Sequence, residues 1–152
     1  MPAPPADPAK LERLMAMTRG RPIIVAASTH PGEDEMLVAA HRSLVGFFPQ
    51  LLTMIVPRHP DRGSSIAGLV TASGLTPALR SREELPTATT DIYVADTMGE
   101  LGLFYRLSPI VFMGGSLIRH GGQNPIEAIK LGAAIVHGPH VFNFADVYEA
   151  LD

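Results

Sequence analysis

The sequence predicts an α/β domain built on an open parallel sheet with helices on both faces. Three observations carry this. Short β-branched apolar runs alternate along the chain with helical patterns, the order from which parallel sheets with crossover helices are made. Aromatic residues are 6% of the 152 positions, with no Trp, so the core must come from Val, Ile, Leu, Ala and Met. Gly and Pro, 14 of each, lie between the runs without a period, as many tight turns require and as collagen or low-complexity tracts do not show.

Residues 1–8 (Met-Pro-Ala-Pro-Pro-Ala-Asp-Pro) cannot place their prolines in a helix interior or a ladder and read as a linker. A short helix is expected at 9–18, closed by Gly20. Residues 23–27 have the length and branching of a buried parallel strand. It ends at Ser28-Thr29-His30-Pro31-Gly32, and Glu33, Asp34 and Glu35 then crowd the first turn of a helix, where the macrodipole favours carboxylates. Leu37, Ala40, Leu44 and Phe47 are expected to form its buried face. A second strand, 51–56, ends in Pro57-Arg58-His59-Pro60. The helix after it, at 65–73, carries Ile66, Leu69 and Val70 and stops at Gly74. A weaker strand near 78–80, a strand at 91–95 and a helix with Leu101, Phe104 and Tyr105 follow. Then come a strand at 110–113, a short helix at 124–131, a last strand at 133–137 and a final helix at 144–151.

Charge and composition exclude several function classes. With 12 basic and 15 acidic residues the formal net charge is −3, so no global basic field exists to hold nucleic acid or anionic lipid. Any anion site must be local. The lack of Cys removes disulfides, thiolate metal ligands and thiol nucleophiles together. The longest apolar runs fall far short of the roughly 18 to 20 residues that a membrane span needs, and the Pro-rich start shows no signal-peptide pattern.

In open parallel sheets ligands bind at the carboxyl ends of strands, so four strand-end segments carry the chemistry. They are 28–33, 57–60, 96–100, and Gly114-Gly115-Ser116 running on to 121–127. Thr97 with Glu100, and Asn124 with Glu127 and Pro125 at the first helical position, have the spacing of capping boxes. A helix start after a strand also presents free N–H groups to an anion. Gly114-Gly115 is either a plain turn or a place where backbone approaches a phosphate or sugar closely. Glu127 is placed to accept from two ribose hydroxyls. Arg58 is set either for bidentate phosphate contact or for a surface ion pair.

The histidines carry less. His137 and His140 are separated by Gly and Pro, which preclude a helical ligand face, so no metal is expected there; His41 reads as a packing residue. No G-x-S-x-G elbow, Walker A loop or G-x-G-x-x-G occurs. Asp96 with Glu100 is the one strand-end carboxylate pair, and it reads as a helix cap. The residues describe a ligand cradle without a catalytic base.

As a set, these segments resemble the carboxyl-terminal half of the Kdo (3-deoxy-D-manno-octulosonic acid) transferases of lipopolysaccharide synthesis. The likeness runs from about Arg21 to Tyr148 and rests on 27–33 (Ala-Ser-Thr-His-Pro-Gly-Glu), 57–60, 96–101 and 114–116 with 121–127, in the family's order; 137–140 corresponds to a closing Phe-Gly-Pro-His-type segment. The resemblance implies a three-layer Rossmann-like domain, the C-terminal half of a GT-B glycosyltransferase. Residues 1–20 would be linker and short helix, 21–152 the CMP-Kdo binding domain, with the N-terminal acceptor domain absent. Carried over position by position, Pro57, Arg58, Met98, Gly99, Glu100, Asn124, Pro125, Ile126 and Glu127 would contact CMP, with Ser28, Thr29, Gly114, Gly115 and Ser116 as a possible donor loop. Arg58 and the N–H groups near Gly99 would face phosphate, and Glu127 ribose.

No cofactor and no metal are implied. The donor would be CMP-Kdo and the acceptor a lipid A precursor, met through the missing domain, which also holds the catalytic glutamate and the membrane-associating segment. The full-length enzyme would work at the cytoplasmic face of the bacterial inner membrane, and this chain alone would not transfer sugar. Gln123 departs from the His common in the family. A GT-B domain with another nucleotide-sugar donor and a stand-alone nucleotide-binding module are the alternatives.

Overall fold

The computed structural model describes residues 4–117, 121–122, 125–140 and 149. The strands are β1 (Ile23–Thr29), β2 (Leu52–Pro57), β3 (Pro77–Leu79), β4 (Ile92–Val94), β5 (Ile110–Met113) and β6 (Ala134–His137). They form one sheet in the order β3-β4-β2-β1-β5-β6, and every pairing is parallel. The helices are α1 (Pro8–Met17), α2 (Glu33–Leu44), α3 (Gly63–Ala72), α4 (Leu101–Tyr105) and α5 (Ile126–Lys130), with single 3-10 turns at Pro60–Arg62 and Arg80–Arg82.

Alternating side chains send each strand's residues to two separate cores. On one face Val25, Ala27, Met54, Val56, Tyr93, Val111 and Met113 meet Leu14 of α1, Leu103 and Phe104 of α4 and Ala128 of α5. On the other, Ala26, Ile55, Ile92, Val94 and Phe112 meet Val38 of α2 and Ile66, Ala67 and Val70 of α3. Covering both faces is what made the central strands read as continuous apolar runs. The result is the three-layer Rossmann-like arrangement expected.

The connections place the site. The chain leaves β1 toward β2 on one side and leaves β5 toward β6 on the other, so the carboxyl ends of these neighbours open a crevice between diverging loops. The end of β1 is irregular: its register against β2 shifts between Ala27 and Thr29, and Ser28 takes a left-handed φ of 58°.

One local expectation changes. The buried side of α2 is Glu33, Asp34, Val38 and His41, with Ala40 exposed and Phe47, beyond the helix, 81% exposed. The helix is rotated because its first-turn carboxylates reach inward to polar partners, which carries positions 34, 38 and 41 toward the sheet. His41 is indeed packed, its Nδ1 2.8 Å from the Thr53 hydroxyl. At the amino end, Asp7 caps α1 by accepting from the N–H groups of Ala9 and Lys10 at 2.9 and 3.3 Å. The helix expected at 144–151, apart from Glu149, and Gln123 and Asn124 lie outside the described residues. Among the described residues no helix is long and apolar enough to cross a membrane.

Candidate functional site

At the carboxyl rim a cavity of about 280 Å³ opens between the ends of β1, β2, β4 and β5 and the start of α5. Of the residues singled out from sequence, Pro57, Arg58, Met98, Gly99, Glu100, Glu127 and Ser28 line it. Pro125, buried, and Ile126, half-buried, immediately precede Glu127 at the start of α5 and do not line the cavity. Thr29, Gly114, Gly115 and Ser116 do not line it either.

Arg58, Met98 and Gly99 are presented by strand exits, and Glu127 by the start of α5. Arg58 follows β2, and its N–H donates to the Thr29 carbonyl at 3.0 Å, tying that exit to β1. Its side chain is exposed and makes no ion pair or hydrogen bond among the described residues. Met98 is 71% exposed over the cavity, and Gly99 takes a φ of 76°, which turns the chain into α4. Glu127 is half-buried, and no hydrogen bond engages its carboxylate among the described residues.

Glu100 differs. Arg80 grips its carboxylate with two bonds, Nε to Oε1 at 2.7 Å and Nη2 to Oε2 at 3.1 Å. Thr97 donates to Oε1 at 2.7 Å and Lys10 to Oε2 at 3.3 Å. The hydrogen bonds from Arg80 hold the carboxyl down at about 2, despite partial burial. The expected capping box is therefore not formed: α4 begins at Leu101, and the Thr97 hydroxyl meets the Glu100 side chain rather than a helical N–H. At α5 Pro125 is the cap residue rather than the first helical one. Glu100 is a fixed, ionised wall and not a proton acceptor. Arg80, which sequence reading placed in a weak strand, is the residue missed here; its signal was a position just past β3 equivalent to that of Arg58 past β2. Its guanidinium also lies 5.6 Å from the Phe104 ring centroid and donates to the Tyr93 hydroxyl at 3.3 Å. Asp96 does not pair with Glu100 but accepts from the Ser81 N–H and hydroxyl at 2.9 and 2.6 Å.

The diglycine has a different reason from either one expected alone. A side chain at Gly114 would collide with the Ser28 carbonyl, and the Gly114 N–H donates to Ala27 at 2.7 Å, so the close approach is of backbone to backbone. The N–H groups of Gly115, Ser116 and Leu117 then donate to the fully buried Glu33 carboxylate at 2.7, 3.2 and 3.0 Å. Beside it, Asp34 accepts from the Thr29 hydroxyl at 2.9 Å and pairs with Arg62; burial raises its pKa against the pull of that arginine. Among the described residues no group of His, Asp and Glu could hold a metal ion.

No family model matches the chain. It is 44% identical over 131 residues to the 3-deoxy-D-manno-octulosonic acid transferase of Haemophilus influenzae, covering 86% of this chain and 31% of that protein. It is 40% identical over 134 residues to the Bordetella pertussis enzyme of the same name, covering 84% and 31%. It thus spans about a third of the length of the curated relatives it matches. The crystal structure of the C-terminal CMP-Kdo binding domain of WaaA from Acinetobacter baumannii superimposes with a TM-score of 0.86 at 33% identity, covering 93% of this chain and 75% of that one. On that identity and coverage, the chain belongs to the family of 3-deoxy-D-manno-octulosonic acid transferases.

Proposed function

We propose that this chain binds the nucleotide of CMP-Kdo in the cavity at the carboxyl rim, as the donor-binding domain of a Kdo transferase. One observation carries the reading: the cavity brings together an arginine and a glutamate, Arg58 and Glu127, that the fold leaves unpaired among the described residues. Arg58 takes the phosphate, where its planar fork matches two oxygens. Glu127 accepts from the ribose hydroxyls, and the turn at Met98-Gly99, braced by Glu100, lets backbone approach the nucleotide between them. Residues 21–152 form this donor-binding unit, with 1–20 as linker and helix.

In the whole transferase the sugar passes to a lipid A precursor at the cytoplasmic face of the bacterial inner membrane. Sequence outside the matched third supplies the catalytic base, the acceptor surface and the membrane contact. Support comes from the relatives' names and from the rim's own carboxylates: Glu100 is held by Arg80, and Glu33 by backbone N–H groups. The test is an NMR titration of this chain with CMP and with UDP. Shifts at Arg58, Gly99 and Glu127 with CMP are expected. No shift with either nucleotide overturns the reading, and preference for UDP moves the chain to a different nucleotide-sugar donor.

A further inference from the structure

Glu33 is 0% exposed, and its two oxygens accept four backbone N–H groups. Oε1 takes those of His30 at 2.9 Å and Gly115 at 2.7 Å, and Oε2 takes those of Ser116 at 3.2 Å and Leu117 at 3.0 Å. Only the first is local, of the kind that caps a helix start. The other three reach 82 to 84 residues along the chain to the turn after β5. That turn is the next anchor, because the Gly115 carbonyl accepts the Gly122 N–H at 2.8 Å. Five residues past Gly122 stands Glu127, at the cavity wall. A buried carboxylate fully satisfied by N–H groups is a rigid joint, since losing any bond leaves a buried donor without a partner.

We propose that Glu33 is a positioning residue for the ribose end of the nucleotide, acting through the Gly115–Gly122 bond that sets where Glu127 enters the cavity. This rests on the donor-binding reading above. It makes the turn at Gly115, Ser116 and Leu117 a support for the ligand's contact residue rather than a contact itself, with those three N–H groups already committed.

The experiment measures affinity of the whole chain for CMP and for cytidine, which lacks the phosphate, in the unmutated protein and in Glu33→Gln, Glu127→Ala, Arg58→Ala and the double variants. Gln keeps the shape but turns a donor toward two of the four N–H groups. CMP and cytidine should both weaken about fivefold to tenfold, the scale of one to two lost hydrogen bonds. The loss should vanish when Glu127 is already Ala and persist when Arg58 is Ala. A general loosening of the fold would not respect that split. If the unmutated chain binds CMP and the Arg58 and Glu127 variants weaken it while Glu33→Gln does not, the inference is overturned and the donor-binding reading stands. If the unmutated chain binds no CMP, the reading itself fails and the inference with it. Should Glu33→Gln not fold, hydrogen exchange on the unmutated chain decides. CMP should slow exchange at Gly115, Ser116, Leu117 and Gly122; slowing at Met98 and Gly99 with no change at those four overturns the proposal.

Discussion

Two pairs of strand exits share one rim and are finished differently. After β2 and β4, Arg58 and the turn at Met98-Gly99 border an open cavity, with Glu127 facing them and no partner among the described residues. After β1 and β5, whose Ser28 and Met113 still border that cavity, the backbone donors themselves are taken, because Glu33 fills the ring of N–H groups that an external anion would otherwise meet. Both places obey the same rule, that backbone donors at strand ends attract negative charge. What differs is whether the chain supplies that charge itself. A glycine turn near a strand end is therefore no guide to a ligand until the nearest buried carboxylate has been located.

The largest test of this contrast is Glu33→Ala. It removes the acceptor from four buried donors, and unfolding in denaturant should show a stability loss of at least about 3 kcal/mol. The open side should respond in the opposite way. Arg58→Ala and Glu127→Ala should each weaken CMP at least about tenfold by calorimetry, yet shift stability by no more than about 0.5 kcal/mol. A stability loss at Arg58 as large as that at Glu33 would erase the distinction between the two sides. Glycines sharpen it further. Gly114→Ala drives a methyl group into the Ser28 carbonyl and should cost about 1 to 3 kcal/mol, whereas Gly99→Ala meets open space and should cost about 1 kcal/mol, from its left-handed backbone alone. A separate effect is one of pH. Arg80 lowers the Glu100 carboxyl from 4.5 to about 2, so its contribution is complete above pH 4.5 and lost as pH falls toward 2. Arg80→Gln should move the carboxyl's NMR titration upward and flatten that part of the stability profile.

Local pattern made most of the fold legible. The buried strands showed as β-branched runs because helices cover both faces, and parallel order then put the strand ends on one rim. Arg58 and Glu127 were legible for the same reason: each stands a fixed step from a strand end or helix start. Glu33 and Arg80 were not. Glu33 lies in a run of three acids that a helix dipole already explains, and its bonds to 115–117 leave no periodic trace. The Arg80 bond to Glu100 depends on two loops meeting, 20 residues apart in sequence. The rotation of α2 follows from that blind spot, because apolar periodicity alone chose Ala40 and Phe47 where inward carboxylates bring Val38 and His41 to the sheet.

That Arg58 and Glu127 have no side-chain partner among the described residues also bears on how such a domain evolves. Among the described residues neither side chain holds two parts of the chain together, so on the donor-binding reading proposed above substitution at either would be filtered by the nucleotide rather than by folding. Ligand preference could then be reselected on a constant scaffold, while Glu33, buried with four backbone N–H groups on its carboxylate, is bound up with the fold itself.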